Sequence, residues 1–216
     1  MAGEPLLPLF PLELVLFPNA ELPLHIFEPR YREMVGRAIA ENSEFGIVLQ
    51  HEGKLGATGC TAMVEKVTRK YGDGRFDIVI RGWRRFHLGE LDDSKEYLQA
   101  RVEFFEDDPR PAVDPALVQR AVALSASLAK VTGLDAPPQP PSEEPYPSYV
   151  LSNSLPLHVK FKQQILMSRS ETERLTRFID HVEEMVPRLE ATKRARKLAG
   201  TNGHSVFGRA DGRLDV

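Results

Sequence analysis

The sequence has a single cysteine, Cys60, among 216 residues, so no intramolecular disulfide can staple the chain. It also lacks an Asn-x-Ser/Thr sequon, and both absences point to a reducing compartment; a cytoplasmic location is expected. No apolar run reaches the ~18 residues of a membrane span. The apolar N-terminus has no basic leader and is interrupted by Pro8, Pro11, Glu13, Pro18 and Glu21, which assigns it to the mature fold. A basic excess is missing too. Lys and Arg number 28 against 31 Asp and Glu, a net charge of -3, which argues against a dedicated nucleic-acid binder.

Catalytic signatures are equally scarce. The chain has no GxxxxGK[ST] and no GxGxxG for a nucleotide, no GxSxG elbow and no HExxH. Its six histidines, at 25, 51, 87, 158, 181 and 204, never pair at the i, i+2 or i, i+4 spacing of a shared metal. Ser127 and Lys130 have SxxK spacing, but they lie late in an amphipathic helix and lack the partner motifs of that chemistry. Cys60 sits among Gly59, Thr61, Ala62 and Met63, with no base beside it, and is read as a small buried residue. No catalytic residue, metal or cofactor is expected.

Composition is that of a globular protein, with 42% hydrophobic and 27% charged residues. Its first hundred residues alternate with period two at 12–16, 22–26, 76–80 and 98–104, the pattern of half-buried strands. Between them Tyr31, Met34, Val35, Ala38 and Ile39 share one face of a helix that Pro29 opens. Asp107 to Pro111 reads as a linker. Beyond it the period becomes helical: Asp114-Pro115 caps a helix ending near Gly133, Leu157, Phe161 and Ile165 mark another, and Ser170-x-x-Glu173 is a capping box for a third. Pro187 is expected to kink or end that last helix. Six prolines between 136 and 147 forbid regular structure there. Two units are expected, 1–107 and 112–197, followed by a disordered tail over 198–216.

One segment carries more specific information. LPLFPLELVLFPNAELPLHIFEPRYREMV, residues 7–35, resembles the opening of the Lon protease N-terminal domain. The matches continue in order through FGIVL at 45–49, a Gly-x-x-Gly step at 56–59, DGR at 73–75, GWRRF at 82–86, YLxAxVE at 97–103 and KFKQQILMSRSETERLTRFI at 160–179. Two features depart from the pattern: Gly59-Cys60 stands where the family often has Gly-Thr, and the proline-rich stretch is particular to this chain. The resemblance implies an α+β fold, a PUA-like β-barrel of about six strands plus one helix followed by a helical bundle. It also implies a stand-alone Lon-domain protein without ATPase or peptidase modules.

The function implied is non-catalytic binding of unfolded or damaged polypeptide through an apolar groove between barrel and bundle, as an accessory to a separate protease. The chain would act as a monomer or homodimer. Phe27, Arg30, Tyr31, Trp83, Arg85 and Phe86 are the candidate binding residues, although each aromatic ring is equally suited to the core. Glu28 and Pro29 are candidate anchors: Glu28 would cap the following helix and pair with Arg84 or Arg85. Two alternatives stay open, an RNA-binding module using Arg81–Arg85 and a small-ligand or degron pocket.

Overall fold

The computed structural model describes residues 6–109 and 113–201. The chain begins with β1 (Leu7–Leu12), β2 (Glu21–Ile26) and α1 (Pro29–Glu41). Four strands follow that complete the sheet: β3 (Phe45–His51), β4 (Lys54–Lys70), β5 (Phe76–Asp92) and β6 (Gln99–Phe105). Four helices end it: α2 (Pro115–Thr132), α3 (Pro147–Ser154), α4 (Val159–Met167) and α5 (Glu171–Thr201).

Strand order is β2-β5-β4-β3-β1-β6, and β6 pairs with β5 as well as β1. Strands β1, β3, β4, β5 and β6 therefore close into a ring. Closure leaves no edge in that ring for a second chain to extend. Two 17-residue strands make this possible. The first part of β5 pairs with β2, from Phe76 opposite Ile26 to Arg81 opposite Glu21, and its second part pairs with β6, from Arg85 opposite Phe105 to Asp92 opposite Gln99. The pairing of β1 with β3 is parallel, and all others are antiparallel.

Strand β3 is buried on both faces, which explains its unbroken apolar run. Phe45, Ile47 and Leu49 pack in the large core that includes Met34 and Val35 of α1. Val48 points into the ring with Leu9, Phe86 and Ala100. Phe86 fills the ring because Gly59 leaves room for it: a Cβ at Gly59 would lie 2.4 Å from the Phe86 ring. Gly82 has a similar duty toward the chain before β2. A Cβ there would lie 2.1 Å from the carbonyl of Phe17, and the Gly82 N–H donates to the Ala20 carbonyl at 2.9 Å.

The helical half packs against the barrel. Tyr149 of α3 and Ile165 and Leu166 of α4 belong to the large barrel-side core. A second core joins α2, α3 and α5 through Ala121, Leu128, Leu151, Phe178 and Val182. Asp114 caps α2 by accepting from the Ala116 N–H at 2.9 Å, and Gly133 ends it in a left-handed conformation, φ 77°. Residues 136–146 are irregular, and Pro147 opens α3. Ser170 caps α5 through the Glu173 N–H at 3.3 Å. Pro187 does not end this helix, which runs on to Thr201; the proline's missing N–H removes one rung, and the turns on either side carry the helix past it. The tail from 202 lies outside the described residues, as do 110–112 in the expected linker. Among the described residues no helix is long and apolar enough to cross a membrane.

Candidate functional site

Strand β2 turns Leu22, Leu24 and Ile26 inward and His25 outward, and Phe27 follows as the chain leaves the strand. Pro29 then starts α1 at its first position. Only two residues separate the elements, so the Phe27 ring cannot fold back into the core; it is 58% exposed and stacks on the His25 ring at 5.9 Å. Beside it lies a recess of about 230 Å³, with Pro11, Leu24, Phe27, Arg30, Tyr31 and Gln50 in its walls. Tyr31 is buried there, stacked on Phe10 at 4.0 Å. The Arg30 guanidinium lies 4.6 Å over the Tyr31 ring. Burial pushes the Tyr31 phenol up, and the nearby Arg30 charge opposes the shift.

Glu28 does not play the expected part. Its backbone carbonyl accepts from the Tyr31 and Arg32 N–H groups at 3.1 and 2.9 Å, as a helix-start residue does, but its side chain makes no cap bond. The carboxylate instead turns to Arg30, two residues on, at 2.7 Å. Neither arginine of GWRRF reaches it. Arg84 binds Glu44 at 2.9 Å, and Arg85 binds Asp107.

The structure gathers Phe27, Arg30 and Tyr31, with Glu28, and leaves out the other candidates. Trp83 is 55% exposed but is not part of that recess. Phe86 points into the ring and is fully buried, so it cannot form a wall of an accessible groove. Arg85 is 6% exposed and faces the opposite side of the strand from Phe86, into the barrel–bundle junction. The arginines expected for RNA are all matched by carboxylates. Arg81 binds Glu21 at 2.7 Å and also Glu65.

Arg85 belongs to a clasp between the halves. Its guanidinium donates to the carbonyls of Leu166 and Ser168 at 3.1 and 2.6 Å and pairs with Asp107. Asp107 also binds Arg174 of α5, at 2.8 and 2.5 Å. Arg174 is fully buried and reaches Glu171 at 2.7 Å. Glu171 accepts from the N–H and hydroxyl of Ser148 at 2.8 and 2.7 Å. Burial alone would raise the Asp107 carboxyl, but Arg174 and Arg85 hold it below the usual range. For Glu171 burial prevails, and its carboxyl is raised despite Arg174 and Ser148. Asp107 thus lies in the irregular segment between β6 and α2, as expected of a linker residue, and also ties the two halves together.

Sequence reasoning also missed a chain of polar groups beside Phe27. Asp77 meets His25 at 2.5 Å and accepts from the Tyr71 hydroxyl at 2.8 Å, so its carboxyl is lowered, first by His25 and then by Tyr71. The register signalled it, because His25 stands directly opposite Asp77. A larger recess, about 780 Å³, lies among the starts of α2 and α5 and the proline-rich segment, walled by Val113, Pro115, Val118, Pro140, Pro145 and Pro147. Barrel strands do not line it. Among the described residues, no three His, Cys, Asp or Glu side chains gather as a metal site.

Residues 6–184 match the family described as the ATP-dependent protease La (LON) substrate-binding domain. The chain belongs to that family. Among solved structures, the Lon N-terminal domain protein from Xanthomonas campestris superposes with a TM-score of 0.65 at 26% identity, covering 82% of this chain and 98% of that one. The N-terminal domain of the Mycobacterium avium complex Lon protease shares the fold, with a TM-score of 0.60 at 19% identity over 83% of this chain and 98% of that one. The Lon protease of Anaeromyxobacter dehalogenans is 31% identical over 134 residues, 58% of this chain and 15% of that protein. That of Cytophaga hutchinsonii is 24% identical over 205 residues, 85% of this chain and 25% of that protein. The match thus spans a quarter or less of these relatives, and lies within the Lon substrate-binding domain.

Proposed function

We propose that this Lon-domain chain is a non-catalytic recognition module that holds non-native polypeptide by exposed apolar side chains, at the surface centred on Phe27. The observation that carries the reading is the Phe27 ring, displayed to solvent above a recess with aromatic walls. Covering its exposed part with an apolar side chain gains about 1–2 kcal/mol. Arg30 and His25 at the rim supply polar groups for the main chain of a bound segment. Unfolded chains expose such side chains, and native ones hide them. Cleavage of what is held falls to a separate protease. The RNA reading loses support because its arginines already face carboxylates.

The test is capture of one model protein in denatured and native forms. Only the denatured form should bind, and binding should persist at moderate salt, since apolar contacts are not screened. Phe27→Ser should weaken it about tenfold, near 1.4 kcal/mol, without lowering the unfolding midpoint. Equal affinity for both forms, loss of binding in modest salt, or full binding by Phe27→Ser would refute the reading.

A further inference from the structure

A small recess lies at the start of β2, at the opposite end of the strand from Phe27, where the barrel meets α3 and α4. It holds about 120 Å³. At ~30 Å³ for each water-sized group, that is room for about four heavy atoms, the size of a leucine side chain. Leu14, Leu16, Leu22, Leu157 and Val159 make it apolar. Its polar members are Glu21, Asn153 and Lys162. The Glu21 carboxylate is already taken by Arg81. Lys162 is half-buried, and among the described residues its ammonium has neither ion pair nor hydrogen bond. Burial pushes it below the ordinary lysine range, with no anion compensating for the lost hydration. Val159 is the first residue of α4, so the positive end of that helix meets the same recess.

An apolar hollow with an uncompensated cation at its edge is complementary to an anion that carries its own apolar group. A polypeptide's last residue has this form: its carboxylate and side chain share one Cα. An internal Asp or Glu does not, because its charge ends its only side chain. We propose that Lys162, with the Asn153 amide, captures the C-terminal carboxylate of a bound polypeptide, whose last side chain, of leucine size, fills the hollow. This rests on the reading of the chain as a polypeptide binder and adds to it a preference for free chain ends.

The experiment uses a labelled peptide ending in leucine, as the free acid and as the C-terminal amide, titrated by fluorescence anisotropy. The acid should bind about tenfold more tightly than the amide, the gain of one charge-assisted contact. Lys162→Met keeps the aliphatic stem and should bring the two affinities together, and Lys162→Arg should preserve the difference. Asn153→Ala, at an exposed position, should weaken the acid alone. N-acetyl-leucine should compete. Equal binding of acid and amide by the wild type, an undiminished difference in Lys162→Met, or binding of N-acetyl-leucine without binding of the peptide would overturn the proposal. Denatured-protein capture in parallel separates the two claims. If capture persists while acid and amide bind alike, only the chain-end preference falls. If capture fails while the acid is preferred, the Phe27 surface falls and the Lys162 site stands.

Discussion

Replacing Asp107 by alanine should be among the most destabilising single changes on this chain. Its carboxylate is 16% exposed and stands between two guanidiniums, Arg174 at 0% and Arg85 at 6%. Without it, Arg174 keeps Glu171 at 2.7 Å, but Arg85 keeps only backbone carbonyls and no counter-charge. Leaving a buried charge unpaired typically costs about 3–5 kcal/mol. A domain of this kind has about 5–15 kcal/mol in all. Urea unfolding at neutral pH, followed by far-UV circular dichroism for the helices and by Trp83 fluorescence, measures the loss. Adding Arg85→Met to Asp107→Ala should recover at least ~1 kcal/mol, because the orphaned charge is then gone. Acid supplies an independent check. The Asp107 carboxyl is held low, so its contribution is complete above the ordinary aspartate value of about 3.9 and is lost as pH falls further, through the folded-state value. Glu171 is raised and acts in the opposite sense, taking up its proton first in the folded protein and favouring it as pH falls toward that range. Asp107→Asn should therefore flatten the stability curve below pH ~4 and leave its slope unchanged at higher pH. A loss under about 1 kcal/mol in Asp107→Ala, or an unchanged acid limb in Asp107→Asn, would refute this account.

Two further expectations follow from side chains already placed. Glu28→Ala should cost less than about 1 kcal/mol in urea unfolding, because the carboxylate makes only an exposed pair with Arg30 and no cap bond. Burial pushes the Cys60 thiol up to about 12, so iodoacetamide at pH 8 should label it at the rate of global unfolding and no faster.

The parts legible in the sequence were those set by local rules. Period-two alternation marked β2, β5 and β6, whereas the alternating stretch 12–16 is irregular beyond Leu12 and β1 and β4 carried no such mark; Asp114, Gly133 and Ser170 marked the helix ends they cap. Tyr31, Met34, Val35 and Ala38 are the buried stripe of α1, as their spacing implied, while Ile39 falls at its exposed margin. What stayed hidden depends on partners far apart in the chain. Asp107 and Arg174 are separated by 67 positions, and each alone looks like a solvated surface charge. Likewise Trp83, Arg85 and Phe86 are near neighbours along β5, yet only the closed ring decides that Phe86 fills it while Arg85 faces the helices. Alternation shows that such residues differ in face and not which face is wet. The short α3 was missed because its first residue closes a proline-rich stretch. Of the two outcomes expected at Pro187, a kink or an end, the structure rules out the end, since proline weakens a helix without always ending it.

Helix α5 has 31 residues, about 46 Å of rod at 1.5 Å per residue. Its apolar contacts with the bundle end near Leu189, and residues 190–196 are exposed all round. Its opposite end is bolted at Arg174 to Asp107, and through Asp107 to Arg85 on the barrel wall. Such a rod is a lever arm. The connection from the helix to the barrel wall runs through two guanidiniums and one carboxylate, not through a loop. Severing Asp107 would remove the direct tie of this helix to Arg85 on the barrel wall and leave α5 held by its apolar packing, by the Glu171–Ser148 bonds and by the Arg120–Glu183 pair.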